Sequence, residues 1–209
     1  MDIEYFGGNC VRLATKKATL VVDDNLAEIG AKTVTKSGEI ALFTQTHGEP
    51  TAEVKLVIDQ PGEFEVSDVS VQGISARAHM DEPGAMTATI FKLVVNDIRL
   101  VVAGHVYPEL SDEQLEAIGM VDVLLIPVGG NGYTLDPEGA LKLIKKIEPK
   151  IVIPTHYSDK SLKYEVPQQS LEEAIKALAM EPRERTAKLK LKVADVATEG
   201  TQLIILERQ

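Results

Sequence analysis

The chain has 209 residues, 44% hydrophobic and 26% charged, the balance of a globular protein with one sizeable core. Its formal net charge of −10 repels phosphate backbones and anionic lipid, so nucleic-acid and membrane partners are not expected. The single cysteine, Cys10, excludes an intrachain disulfide, a cysteine zinc cluster and an iron–sulfur centre; with Val11 and Leu13 as neighbours it reads as a buried strand thiol rather than a nucleophile.

The first half of the chain reads as strands. Asp2–Phe6, Cys10–Ala14 and Thr19–Val22 are short β-prone runs broken at Gly7-Gly8 and Lys16-Lys17, and the third ends in Asp23-Asp24-Asn25. The apolar run Ile40–Phe43 gives way to Thr44-Gln-Thr-His-Gly-Glu-Pro50. If the backbone stays extended past Thr44, Gln45, His47 and Glu49 point the same way, because strand side chains alternate faces. An amide, an imidazole and a carboxylate then sit at the lip of a buried strand; the competing reading is a polar turn. Leu56–Ile58 precedes a turn at Pro61-Gly62. Val69–Ala76 alternates as a half-buried strand does, and His79 follows it. Thr87–Val95 and Ile98–Ala103 flank Asn96-Asp97, a two-residue hairpin turn, and the second strand runs into Gly104-His105.

Helical signals come later. Ser111 and Gln114 make a capping box, with Gly119 as the stop. Val121–Ile126 is an all-apolar run suited to a strand covered on both faces. Asp136 and Pro137 open a second helix whose stripe is Leu141, Ile144 and Ile147. Ile151–Ile153 is another buried strand and leads to Pro154-Thr-His-Tyr157. A third helix is expected over about Gln168–Ala179, then a charged link at Glu181–Arg185. A closing hairpin is expected between Leu189–Val193 and Gln202–Leu206. No apolar run approaches the roughly 20 residues of a spanning helix and no signal-like segment opens the chain, so one domain over residues 1–209 in a cytoplasmic setting is expected.

All four histidines, His47, His79, His105 and His156, fall just past the end of an apolar strand. A lone histidine is usually a hydrogen-bonded surface or core residue. Four at four strand ends point to one crevice, because such ends converge in an α/β sheet, and imidazole is the commonest metal ligand.

Longer runs carry a family likeness: Ile58-Asp-Gln-Pro-Gly-Glu-Phe-Glu-Val66, Leu110-Ser-Asp-Glu-Gln-Leu115, Val121-Asp-Val-Leu-Leu-Ile-Pro-Val-Gly-Gly130 and Pro149-Lys-Ile-Val-Ile-Pro-Thr-His-Tyr157. On these the chain resembles the metallo-β-lactamase fold superfamily over essentially its whole length. It is nearest the small lactonase-like branch of metal-dependent hydrolases, itself similar to the L-ascorbate-6-phosphate lactonases. The resemblance implies an α/β (α+β) chain folded as a four-layer αββα sandwich with metal at one edge. It implies that Asp23 braces the ligand loop from behind. The family's His-x-His-x-Asp-His motif lands on Gln45-Thr-His47-Gly-Glu49-Pro50, its later histidines on His79 and His156, and its bridging aspartate on His105. The Gly-His-Ser-Cys segment near the start has become Gly7-Gly-Asn-Cys10.

These departures bear on the chemistry. A neutral imidazole has one lone pair and no charge, so His105 cannot bridge two metals as a carboxylate does. Two unit charges at about 4 Å repel by roughly 4 kcal/mol at an effective dielectric near 20, and dications repel more. Gln45 is a weak ligand and Pro50 none. At most one divalent transition metal per chain is therefore expected: zinc, manganese or iron. Its ligands are either His47, His79 and His105 or Glu49, His105 and His156, with Asp23 and Gln45 behind them. Glu49 and His105 are the candidates for the chemistry, and Tyr133, Thr134 and Lys160 for holding a small-molecule substrate. Such a metal lowers the pKa of its water to about 7, which suits hydrolysis of an ester, lactone or phosphoester. The alternative is a metal-free, non-catalytic relative kept as a binding or interaction protein. A nuclease would need a basic face that the chain lacks; a homo-oligomer is left open.

Overall fold

The structure, a computed structural model, describes residues 1–45, 49–197 and 199–209. Period-2 burial marks the first strand, β1 (Asp2–Gly7), where Ile3, Tyr5 and Gly7 are buried and their neighbours half-open. It joins β2 (Cys10–Ala14), β3 (Thr19–Val22), β4 (Ile40–Leu42) and β5 (Leu56–Ile58) in a first sheet. The second sheet begins as an antiparallel meander: β6 (Gly62–Val66), β7 (Val69–Ala76), β8 (Ala88–Val95) and β9 (Ile98–Val102). It continues in parallel through β10 (Val123–Pro127) and β11 (Ile151–Thr155), both buried at all five residues, as strands covered on two faces must be.

The covering helices are α1 (Asp112–Ile118), α2 (Pro137–Ile147) and α3 (Leu171–Leu178). Asp136 caps α2 by accepting the N–H of Gly139, and Pro137 stands where a missing N–H costs nothing. Ala140, Leu143, Ile144 and Ile147 then fall on one face and enter the main core. Over the first sheet the outer layer is made by turns: Leu26, with Ile29, Ala31 and Val34, packs on Cys10 and Val21, which point away from the main core. No helix among the described residues is long and apolar enough to cross a membrane.

Three sequence expectations are corrected. The closing hairpin does not form. β13 (Leu189–Lys190) pairs antiparallel with β1 in the first sheet, whereas β14 (Gln202–Leu206) lies parallel between β11 and β12 (Pro182–Thr186) in the second. Leu203 to Leu206 are all buried, and an interior position hides both faces where a terminal hairpin would expose one. The charged link is mostly β12, an edge strand whose charges suit an edge. The third helix starts later than Gln168: Ser170 accepts the N–H of Glu173, whose carboxylate returns to the Ser170 N–H, so the first turn begins at Leu171.

Strand direction places the functional edge. β7, β9, β10 and β11 run the same way, and β3, β4 and β5 are mutually parallel. Their C-terminal ends meet where the two sheets touch: the Thr89 N–H donates to the Thr44 carbonyl, and the His156 N–H to the Gly8 carbonyl, each bond running from second sheet to first. Ligands of open α/β sheets bind at such ends.

Candidate functional site

At the end of β3, Asp23 turns into the left-handed region, φ +47°, which a non-glycine residue enters only when its surroundings hold it there. Its two carboxylate oxygens accept the Thr44 N–H at 2.7 Å and the Thr44 hydroxyl at 2.6 Å. Burial raises the Asp23 pKa to about 6, against the lowering effect of those two bonds. Thr44 also lies under the β9 exit: a Cβ on Gly104, whose φ is +64°, would fall 2.4 Å from the Thr44 Cβ. Glycine there lets the His105 loop rest on the Asp23–Thr44 pair.

His105 and His156 are 8% and 5% exposed, and their rings meet edge-on with centroids 4.7 Å apart. The Tyr133 ring lies 5.1 Å from the first and 5.7 Å from the second. His156 is also left-handed, φ +51°. Its Nδ1 sits 3.2 Å from the Gln168 Oε1, a pairing that puts the hydrogen on Nδ1 and leaves a lone pair on Nε2. Gly129 makes room for this contact, since a Cβ there would fall 2.0 Å from the His156 carbonyl and 2.1 Å from the Gln168 Oε1. The His105 Nδ1 is buried with no partner among the described residues. Burial, then the adjacent His156, pushes the His105 pKa down to about 3. Burial pushes His156 down to about 4, with the Gln168 bond opposing. Both imidazoles are therefore neutral near pH 7, the form in which they ligate metal.

His79 reaches the same edge by backbone, its N–H donating to the His105 carbonyl at 2.7 Å. Its ring packs toward Tyr107, centroids 6.1 Å apart, and its Nδ1 is buried without a partner among the described residues. Burial lowers its pKa as well.

Three neighbouring spaces lie along this edge. A cavity of about 70 Å³ lies against Gly8, Asn9, His105, Tyr133 and His156. It shares Asp23, Glu28 and Gln45 with a cleft of about 430 Å³ that Asp24 and Glu49 also line. It shares Tyr133 and His156 with a third space of about 170 Å³, bounded by Lys163, Tyr164 and Gln168.

Asp23, Gln45, Glu49, His105, Tyr133 and His156 are thus brought to one groove, with Glu49 exposed at its wide end. Thr134 is fully buried, with its hydroxyl unpartnered, and Lys160 is exposed; neither lines these three spaces. His47 lies outside the described residues. Asn9, Glu28, Lys163, Tyr164 and Gln168 had not been anticipated. Only Asn9 carried a signal, standing at the serine of the resembled family's Gly-His-Ser-Cys segment; the others arrive through the fold.

Whether these residues fit a metal turns on the donors. Among the described residues no three His, Cys, Asp or Glu side chains come within reach of one ion. Both Asp23 oxygens are already engaged by Thr44. The nearest approach to a ligand set among the described residues is the pair of imidazoles in contact, His105 and His156.

A family model described as a beta-lactamase superfamily domain matches residues 2–156. A UPF0173 metal-dependent hydrolase of Salinibacter ruber is 25% identical over 193 residues, spanning 75% of this chain and 84% of that protein. A UPF0173 protein of Pyrococcus abyssi is 23% identical over 178 residues, spanning 75% and 83%. Among solved structures, one named as a Zn-dependent hydrolase of the metallo-beta-lactamase superfamily, from Thermotoga maritima, superposes with a TM-score of 0.76 at 24% identity, covering 99% and 98% of the two chains. The metallo hydrolase Igni18 of Ignicoccus hospitalis superposes with a TM-score of 0.64 at 15% identity, covering 99% and 94%. With the family model spanning most of its length, and the two sheets of the sandwich in place, the chain belongs to the beta-lactamase superfamily.

Proposed function

We propose that this protein is a metal-dependent hydrolase of small esters, lactones or phosphoesters with at most one divalent metal per chain, zinc, manganese or iron. The observation that carries the reading is the His105–His156 pair, two buried neutral imidazoles in contact, one with an orphaned nitrogen. A buried polar group left unpaired costs about 1–3 kcal/mol, so a fold that keeps one gains by giving it a ligand. The names of the Salinibacter and Thermotoga relatives support the same reading.

His105 and His156 would hold the metal, and His47, outside the described residues, is the candidate left to add a third nitrogen. When bound, the metal supplies Lewis acidity and a more acidic water. The chain does the rest. Gln168 fixes the His156 tautomer, Asp23 and Thr44 hold the Gly104–His105 turn, and Tyr133 packs on both rings and walls the groove. The test is turnover of p-nitrophenyl acetate and bis-p-nitrophenyl phosphate. Activity stops with a chelator and returns with metal, His105→Ala abolishes it, and Gln45→Ala changes it little. Absence of both turnover and micromolar binding of all three metals sinks the reading.

A second reading, a non-catalytic binding protein, is favoured by two positions: His105 in place of a bridging carboxylate, and Pro50 with no ligand to offer. Gln45→His with Pro50→His and His105→Asp separates the two. A relic gains metal and activity from the triple substitution, whereas a working one-metal enzyme changes its metal count more than its rate.

A further inference from the structure

Asn9 is the second unmet group in the small cavity. It is 6% exposed, its Oδ1 accepts the Thr155 hydroxyl at 2.8 Å, and its Nδ2 is buried with no partner among the described residues. Thr155 immediately precedes His156, so the amide is fixed by the same strand end that positions the imidazole. Asn9 and His105 both line one space of about 70 Å³, and each has a buried side-chain nitrogen without a partner among the described residues. Beside it, across Asp23 and Glu28, lies the 430 Å³ cleft, lined by Asp23, Asp24, Glu28 and Glu49 and, among the described residues, by no lysine or arginine.

Resting on the hydrolase reading, we infer that the substrate is an uncharged or cationic carboxylic ester or lactone rather than a phosphoester. Its carbonyl oxygen enters the small cavity and accepts a hydrogen bond from the Asn9 Nδ2, and the rest of it lies along the carboxylate cleft. An amide N–H only donates, which matches a carbonyl oxygen, and a cleft of carboxylates without a cation repels a phosphodiester anion. In the reaction, water oxygen bonds to the carbonyl carbon and the bond to the alkoxy oxygen breaks. Carboxylate, alcohol and one proton result, and nothing is oxidised or reduced. The carbonyl oxygen gains negative charge on the way, and the Asn9 N–H is placed to stabilise it.

The test reads Asn9 directly. In the full ¹⁵N-labelled chain with chelator present, the Asn9 side-chain amide signals are identified by their loss in Asn9→Ser, a small polar replacement. γ-Butyrolactone should shift them downfield and saturate; dimethyl phosphate at the same concentration should leave them in place. An equal or larger shift with dimethyl phosphate overturns the proposal. So does no shift with either probe, which would leave the amide facing water alone. With metal restored, Asn9→Ser should lower kcat/KM for p-nitrophenyl acetate about 100-fold, the usual loss for one donor to a developing oxyanion. Binding is read without metal or turnover, so a lactone shift in a protein that hydrolyses nothing refutes the hydrolase reading and leaves the carbonyl site standing.

Discussion

Burying two imidazoles and one carboxylate in a single seam gives the fold a pH response whose sign can be worked out. His105 and His156 titrate near 3 and 4 in the folded chain, below about 6.5 when unfolded. The unfolded chain therefore takes up protons first, and the stability these groups contribute is complete above pH 6.5 and lost as pH falls toward 4. Asp23 works the other way: with a folded pKa of about 6, its contribution is complete below pH 4 and lost as pH rises through 6. Between pH 6.5 and 5 the two imidazoles outweigh the carboxylate, a net loss of about 2 kcal/mol at about 1.4 kcal/mol per unit. Urea midpoints of the chelated protein should fall across that window, and less steeply in His105→Gln; a rising midpoint would mean the imidazoles are not buried as described. Most residues of the seam were legible in the sequence. His105 and His156 stood out by their place after apolar runs, and Asp23 through the family resemblance. What the sequence left open was which imidazoles pair, because that depends on Gln168 seating His156 and on Tyr107 drawing the His79 ring aside.

At the scale of elements, local chemistry was decisive wherever it was self-contained. The hairpin at Asn96-Asp97, with both residues left-handed, and the caps at Ser111 and Asp136 follow from a few adjacent residues. The third helix obeys the same rule with its cap at Ser170. Ser170→Ala should lower the unfolding free energy by about 1 kcal/mol in a urea titration, and no change would mean that α3 is held by packing alone. The C-terminal strands were misread for the opposite reason. β13 and β14 each satisfy local strand preferences, but their partners, β1 for one and β11 and β12 for the other, are set by the two-sheet core. No short-range signal tells a strand which sheet it will join.

At the scale of the molecule, the groove exists because parallel strands from two sheets end together and loops of one sheet hydrogen-bond the other. The His156–Gly8 and Thr89–Thr44 bonds hold that seam shut on either side of the cavity. Residues far apart in sequence, Asn9 and Thr155 among them, become neighbours only through this closure. A site built so, with His105 where the family resemblance implies a bridging carboxylate, should on the proposed reading hold one metal and not two. The most direct measurement is anomalous diffraction at the zinc edge from crystals grown with zinc. A single peak per chain, about 2 Å from a nitrogen of His105 and of His156, is the expected result. Two peaks in the groove, or one peak that touches neither histidine, would contradict the single-metal site.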